Sequence, residues 1–362
     1  MNIYDYINNY GKYKLDEEKL NLVDKVLFSY LSYINFKGIV SDKPISIKDA
    51  AEMYQKNHEK DEVNIIAVKD AIKILMNMKD TNRYKDCLLF NYVYEGTKKL
   101  QFGALCIEYL KNKVYVSFEG TDQLISGWKE DLVLAYETMT LSHKKAIKYL
   151  NKCFTFANKE LIIAGHSKGG NLALVASMYA NPLVKKQITE INNIDGPGLL
   201  DSEFQSKEFK KVLPKYKHII PDNSLIGMCL NNKNEIIIKT TIGAPISHFI
   251  TFWEIKDDKF VDSELSPYSD ELRKDLLDWL NKTQKEDIRK LTINFQNIFE
   301  SAGINSLIDL KIKKTMIFKL IEESKNVEPK AKEILADLIK IIIKSVGDTY
   351  ISEIKTKIKD YV

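Results

Sequence analysis

This chain of 362 residues has little net charge and lacks extended apolar segments. Its 54 lysines and arginines outnumber its 50 aspartates and glutamates by only four, so the sequence lacks the basic excess that nucleic-acid and anionic-membrane binders carry. The most apolar late stretch, residues 338–346, is interrupted by two lysines, which makes it unsuitable for crossing a bilayer. We therefore expect no nucleic-acid partner and no transmembrane segment.

Cysteine is also scarce. The four cysteines, Cys87, Cys106, Cys153 and Cys229, lie far apart and form no Cys-x-x-Cys pair. This spacing predicts buried free thiols in a reducing compartment and no metal site. The first residues contain neither a basic segment nor a continuous apolar segment of the kind found in secretory signals. We therefore expect a cytoplasmic protein.

The remaining composition, 44% hydrophobic and 29% charged, is sufficient for a large core. Hydrophobic periodicity divides the chain into three regions. Residues 1–80 have helical spacing and are interpreted as an N-terminal cap, residues 81–262 as the core, and residues 263–362 as a C-terminal helical region. The aromatic stripe of Tyr30, Tyr33 and Phe36 is interpreted as a core or docking face of the cap rather than a ligand site.

The core region changes from strand pairs to alternating strands and helices. Residues 88–94, 103–110 and 114–118 alternate in hydrophobicity, as hairpin strands do. From residue 141 onward, helical patterns alternate with short apolar runs. Alternation of this type predicts an α/β fold with a mostly parallel central sheet covered by helices.

The strongest motif is Gly-His-Ser-Lys-Gly at residues 165–169, between an apolar run at 161–164 and strong helix formers at 172–176. A Gly-x-Ser-x-Gly turn between a strand and a helix places the serine hydroxyl at the top of the sheet. Ser167 is therefore the candidate nucleophile. The main-chain amide of Lys168, at the start of the helix, is a candidate oxyanion donor.

A serine nucleophile needs a base, and in this type of fold the acid and the histidine follow the serine along the chain. Among the five histidines, His58 and His143 precede the motif, and His166 points away from the neighbouring hydroxyl by the geometry of the turn. His218 lies within a predicted strand. His248 lies in a loop rich in Gly, Pro and Ser, and is the candidate base.

The acid that orients the base is open between two carboxylates. Asp222 and Asp195 each follow a predicted strand directly, and Asp201 lies near the second. We favour Asp222 and keep Asp195 as the alternative.

Two sets of motifs resemble known hydrolases. Val116-Ser-Phe-Glu-Gly-Thr followed by Gly127-Trp-Lys-Glu-Asp-Leu, before the serine motif, resembles the pattern of class 3 lipases. The segments beginning at Asn193 (Asn-Ile-Asp-Gly-Pro-Gly), Pro221 (Pro-Asp-Asn-Ser-Leu-Ile-Gly-Met) and His248 (His-Phe-Ile-Thr-Phe-Trp) resemble an uncharacterised bacterial branch of lipase-like α/β hydrolases. The resemblance extends over most of the chain.

The resemblance implies an α/β-hydrolase fold with Ser167 as nucleophile and His248 as base. It also implies an oxyanion hole formed by the Lys168 amide and by Thr121. The chain departs from the class 3 pattern at Glu119, where the family has arginine, and near the acid, where His218 occupies about the family's acid position. The first departure places a negative charge near a site that stabilises one.

These observations predict a serine ester hydrolase of lipase or esterase type that needs no metal or organic cofactor. Its expected substrate is a small acyl ester or a lipid, and a thioesterase or peptidase would use the same residues. The alternative is a non-catalytic module that binds an acyl ligand or a protein partner. Lysines in the C-terminal region leave peripheral membrane contact open, and the oligomeric state is left open too.

Overall fold

The computed structural model describes residues 1–58, 65–97, 100–121, 133–244, 246–290 and 292. Within these residues the α-helices are α1 (Ile3–Tyr10), α2 (Leu22–Tyr30), α3 (Ile47–Asn57), α4 (Ile66–Met78), α5 (Leu141–Phe154), α6 (Lys168–Tyr179), α7 (Pro182–Gln187), α8 (Asp201–Phe204), α9 (Lys207–Val212) and α10 (Pro267–Lys282). The strands are β1 (Ile45–Ser46), β2 (Leu88–Thr97), β3 (Leu100–Leu110), β4 (Lys113–Phe118), β5 (Glu160–His166), β6 (Ile188–Ile194), β7 (Tyr216–Pro221), β8 (Glu235–Ile238), β9 (Ile255–Lys256) and β10 (Lys259–Phe260).

The first two helices begin at asparagine caps. The Asn2 side chain accepts the amide of Asp5, whose carboxylate accepts the Asn2 amide in return, and Asn21 and Asp24 form the same reciprocal pair at α2. Such capping boxes satisfy amides that the first helical turn leaves without a partner. The buried carboxylate of Asp24 also binds the guanidinium of Arg83, which ties α2 to the segment after α4.

In the described part of the chain, eight strands form one sheet whose spatial order is the order of the chain, β1 to β8. Pairing is antiparallel from β1 to β4 and parallel from β4 to β8. The predicted hairpin strands and the parallel strands after them are therefore confirmed. This sheet, with helices packed against it, confirms the α/β-hydrolase class predicted from the sequence.

The chain order of the parallel strands determines which helices cover each face. Because crossovers between parallel strands are right-handed, strands taken in sequence carry their crossover helices on one face. Val114 and Val116 of β4 accordingly pack in one hydrophobic cluster with residues of α5, α6 and α9. Tyr115, between them, packs on the opposite face in a second cluster with residues of α1 to α4. The N-terminal helices thus cover the face that the crossovers leave exposed.

The sequence predicts helical regions at both ends of the chain. The helices α1 to α4 lie within the predicted cap, although the three domain boundaries themselves remain a prediction. Of the predicted C-terminal helical region, α10 is described, whereas residues 293–362 lie outside the described residues. In the part of the chain that the structure describes, no helix is both long and apolar enough to cross a membrane.

Candidate active site

Ser167 lies at the turn between β5 and α6, at the carboxyl end of the parallel strand β5. Its backbone has φ 59° and ψ −134°, a region that non-glycine residues adopt at a cost of about 1–3 kcal/mol. A Cβ at Gly165 would collide with the main chain of Gly169, and one at Gly169 with the main chain of Phe118. Both glycines are therefore needed for the sharp turn that the motif predicted.

The neighbours of Ser167 approach it closely. Its amide donates to the carbonyl of Ile194, on the adjacent strand β6, at 2.8 Å. A Cβ at Gly120 would contact the Ser167 side chain and the hydroxyl of Tyr33. The buried Thr121 follows Gly120, and Lys168 follows the serine. The structure thus brings both predicted oxyanion residues to the neighbourhood of Ser167, and their role remains a prediction.

His248 ends a short 3-10 turn, Ile246–His248, and its ring lies against the ring of His166, with centroids 4.4 Å apart. Its Nδ1 is 2.7 Å from Oδ2 of Asp195. An ionised carboxylate only accepts hydrogen bonds, so in the neutral form of this ring the proton is on Nδ1 and the lone pair is on Nε2. This tautomer is the one that a general base requires.

Asp195 follows β6 directly and is fully buried. Its other carboxylate oxygen, Oδ1, accepts hydrogen bonds from the Ser224 hydroxyl and, at 3.1 Å, from the Gly227 amide. Three donors thus converge on this carboxylate when His248 is included. Hydrogen bonds of this kind compensate the loss of hydration of a buried charge.

Asp222, the carboxylate that the sequence favoured as the acid, has other partners. Its Oδ1 accepts the hydroxyl of Thr240 at 2.6 Å, and its Oδ2 accepts the hydroxyl of Ser263 at 3.3 Å. These bonds connect the end of β7 to the segments after β8 and before α10. The structure places Asp195, the alternative acid, rather than the favoured Asp222 against His248. The loop that carries His248 contacts the ends of both strands, since the Ser247 hydroxyl also donates to the carbonyl of Asn223, just after β7.

Glu119, which replaces the arginine of the lipase pattern, directly follows β4, and its side chain extends toward β3. A Cβ at Gly103, on β3, would collide with the Glu119 carboxylate. Burial, followed by the nearby Glu119 charge, raises the pKa of Tyr92 above its usual range. The carboxylate is therefore directed toward β3 and the N-terminal face, while the nucleophile follows β5 on the other side of β4.

Lys168 is also buried, and its ammonium donates to the carbonyl of Gln101 at 3.1 Å. The side chain is thereby held on β3, away from the turn, while its main-chain amide stays at the start of α6. Among the described residues, no group of three or more His, Cys, Asp or Glu side chains is arranged to hold a metal ion.

Residues 78–300 of the chain match the family described as Mbeg1-like. Among solved structures, the crystal structure of M37 lipase is similar, with 15% sequence identity over 57% of this chain and 68% of that chain, and a TM-score of 0.34. Among curated proteins, no sequence matches this chain.

The family match covers the strands and turns that carry Ser167, Asp195 and His248. The predicted resemblance to lipase-like α/β hydrolases is thus confirmed at the level of family and fold, which support a hydrolase type of function. The chain belongs to the Mbeg1-like family, a lipase class 3-like family of α/β hydrolases.

Proposed function

We propose that this protein is a serine hydrolase that cleaves an acyl ester, with Ser167 as nucleophile, His248 as general base and Asp195 as the acid that orients His248. The observation that carries the proposal is the 2.7 Å contact between His248 Nδ1 and Asp195 Oδ2, on a histidine whose ring lies beside the serine turn. A buried carboxylate, an imidazole and a strained serine in this chain order form the arrangement that activates a hydroxyl.

In the first half of the reaction, Ser167 Oγ attacks the acyl carbon and its proton passes to His248 Nε2. The imidazolium then donates that proton to the leaving alcohol as the acyl–oxygen bond breaks, and an acyl-enzyme remains. In the second half, a water molecule loses a proton to His248 and attacks the acyl carbon. The serine leaves as the alcohol, and the fatty or other carboxylic acid is released.

Negative charge develops on the acyl oxygen in both halves. We assign its stabilisation to the amide of Lys168, at the start of α6, and to Thr121, which follows Gly120 beside the serine. Donors placed in advance around such an oxygen contribute about a hundred- to a thousandfold to the rate. The direction of the Glu119 carboxylate toward Gly103 is consistent with this role, since its charge is directed away from the turn.

The family suggests an ester or lipid as the substrate, and the same residues would also cleave a thioester or an amide. The choice among these is an experimental question of relative kcat/KM. A series of acyl esters of increasing chain length, with matched thioesters and amides, would rank the three classes directly. The ester assignment predicts the highest kcat/KM for an oxygen ester.

The direct test is labelling by a fluorophosphonate probe, with the modified residue identified by mass spectrometry. We expect labelling at Ser167 that is abolished in Ser167→Ala and strongly reduced in His248→Ala. Ser177→Ala is the matched control, because Ser177 is a buried serine on the same helix, α6, whose hydroxyl donates to the Ala173 carbonyl. Equal labelling of Ser167→Ala and the wild type would refute the proposal.

A folded wild-type protein that is not labelled would instead favour the non-catalytic alternative. In that case, a shift in melting temperature with a fatty acid or lysolipid would show that the fold binds an acyl ligand without cleaving it, since a ligand that binds only the folded state stabilises it.

A further inference from the structure

The imidazole of His166, one residue before the nucleophile, is buried between the cap and the loop that carries His248. Its Nε2 is 2.9 Å from the main-chain oxygen of His248. Since a carbonyl oxygen only accepts, Nε2 carries the proton and donates it. His166 therefore holds the backbone of the very residue whose ring it packs against.

The second ring nitrogen of His166 faces the cap. Its Nδ1 lies 2.8 Å from the hydroxyl of Tyr33. Because Nε2 carries the proton of the neutral ring, Nδ1 is the acceptor and the tyrosine donates. Burial, with a smaller contribution from nearby His248, holds the pKa of His166 well below its usual range, so the ring stays neutral.

Tyr33 is held firmly against the sheet. It ends the 3-10 turn Leu31–Tyr33 that follows α2, and this turn is tied to β4 because the Ser117 hydroxyl lies 2.9 Å from both the Ser29 carbonyl and the Ser32 hydroxyl. Tyr33 precedes residue 78, where the family match begins. The hydroxyl that contacts His166 thus comes from a part of the chain outside that match.

We propose that Tyr33 and His166 are positioning residues of the candidate active site: Tyr33 fixes the tautomer of His166, and His166 fixes the main chain of His248. The inference rests on the proposed function in that it assigns His248 as the base. The His248 ring is thereby held at two places, through its Nδ1 by Asp195 and through its main chain and ring face by His166.

Two further contacts extend this support along the same loop. The amide of Ile250 lies 3.3 Å from the Tyr30 hydroxyl, and the Thr251 hydroxyl lies 3.4 Å from Asp70, on α4. The cap therefore contacts the loop at His248 through His166 and again two and three residues later. These contacts hold the loop of the candidate base against the cap.

The first test compares Tyr33→Phe with Tyr115→Phe. Both tyrosines are buried on the same face of the sheet, and the Tyr33 hydroxyl contacts His166 whereas the Tyr115 hydroxyl donates to the Lys25 carbonyl. We expect Tyr33→Phe to slow fluorophosphonate labelling of Ser167 by about tenfold, since small displacements of a catalytic group are costly. Tyr115→Phe should label at the wild-type rate. Equal rates in the two variants would overturn the proposal.

The second test separates the two hydrogen bonds of His166. Glutamine can place its amide nitrogen near the position of Nε2, so His166→Gln should retain most of the labelling rate. His166→Phe keeps the aromatic packing and loses both hydrogen bonds, and we expect a loss of about a hundredfold. If His166→Phe labels as fast as His166→Gln, the hydrogen bond to His248 has no positioning role.

A double variant tests whether Tyr33 acts through His166. Adding Tyr33→Phe to His166→Phe should cause no further loss, because the partner of the hydroxyl is already absent. Losses that multiply would mean that the two residues act independently, which contradicts the proposed pair.

A measurement that does not need activity separates this inference from the proposed function. In 15N-histidine NMR spectra we expect His166 as the neutral Nε2–H tautomer at neutral pH, and a shift of the His248 signals in Tyr33→Phe but not in Tyr115→Phe. If wild-type Ser167 is not labelled while these spectra agree, the proposed function fails and the positioning pair stands. Unchanged His248 signals in Tyr33→Phe refute the pair whatever the labelling shows.

Discussion

The ends of β6 and β7 look alike in sequence and differ in the structure. Each strand is followed at once by an aspartate, and each aspartate accepts several hydrogen bonds. Asp195 is fully buried and has an imidazole among its donors, whereas Asp222 is half-buried and binds hydroxyls and the amide of Asn223. The difference lies in the partners that the tertiary structure brings to each carboxylate: the ring of His248 for Asp195, and the hydroxyls of two loop residues for Asp222.

A third carboxylate completes the comparison. Glu203, on α8, is 6% exposed, and its Oε1 has no hydrogen-bond partner among the described residues. Burial raises the pKa of Glu203 to about 7. Asp195 is buried more completely but is surrounded by donors. Burial alone therefore does not make a carboxylate functional. The hydrogen-bond donors around a buried carboxyl group influence whether its ionised or its protonated form is the more stable.

The largest expected effect separates the two aspartates. Asp195→Asn should lower kcat/KM or the labelling rate by about a thousand- to ten-thousandfold, because an amide nitrogen facing His248 Nδ1 selects the wrong imidazole tautomer. Asp222→Asn should stay within about a factor of ten of the wild type, or about 1.4 kcal/mol. Melting temperatures of both variants control for misfolding. A larger loss in Asp222→Asn would reinstate the acid that the sequence favoured.

The pH dependence of stability tests Glu203. Its folded-state pKa is raised, so the folded protein retains a proton that the unfolded chain loses. Stability should therefore fall as pH rises between about 4.5 and 7 and then level off. Relative to Glu203→Gln, the wild type should lose about 1–3 kcal/mol of unfolding free energy between pH 4.5 and 8. Urea titrations at several pH values measure this difference.

Asp201→Asn is the control for Glu203, since Asp201 is an exposed carboxylate on the same short helix. Its stability should follow the wild type across the pH range. A pH-independent difference between Glu203→Gln and the wild type would show that Glu203 is ionised in the folded protein.

A smaller effect concerns one donor to Asp195. Ser224→Ala removes the hydroxyl bound to Oδ1 and leaves the Gly227 amide and His248 in place. A hydrogen bond to a charged group is worth about 1.5–3 kcal/mol, so a loss of about tenfold in labelling rate is expected. Ser263→Ala is the matched control, because it removes a serine hydroxyl from Asp222 instead. Wild-type labelling rates in both variants would show that the Ser224 hydroxyl is not needed to hold Asp195 in place.

The smallest effect concerns stability at the end of β7. Thr240→Val replaces the hydroxyl that binds Asp222 Oδ1 with a methyl group of similar size. It should lower the unfolding free energy by about 1 kcal/mol and leave the labelling rate unchanged. Thr241→Val removes a longer, exposed hydrogen bond to the Phe252 carbonyl, so it should lower the unfolding free energy less than Thr240→Val and leave the labelling rate unchanged. A fall in labelling with Thr240→Val would show that Asp222 supports the site.

The motif around Ser167 was predictable because its constraints are local. Glycines two residues before and after the serine, an apolar strand and a helix-forming segment are all legible within 17 residues, and the structure explains the glycines by collisions with the main chain of Gly169 and Phe118. The choice between Asp195 and Asp222 was not predictable in this way. Both satisfy the same local rule, and the deciding contact joins residues 53 positions apart.

The contribution of the cap was also hidden from the sequence. Tyr33 was interpreted as part of a core or docking face, and it is indeed buried, but its hydroxyl reaches His166, 133 residues later. Hydrophobic periodicity predicts which face of a helix is buried without specifying what a polar group on that face will meet. The sequence feature that could have indicated the contact with His166 was the presence of a tyrosine, which has a hydroxyl, on a helix face that otherwise suits apolar residues.

By itself, the sequence determined the class of fold, the order of strands and helices in the core, and the serine at the turn, because periodicity, helix caps and glycine requirements act between near neighbours. Only the tertiary structure decided which carboxylate meets His248 and which residues of the cap hold its loop. Those pairings depend on where the connections pass after the sheet has formed, and a sheet with parallel strands in chain order places the N-terminal helices on the face from which Tyr33 reaches the turn.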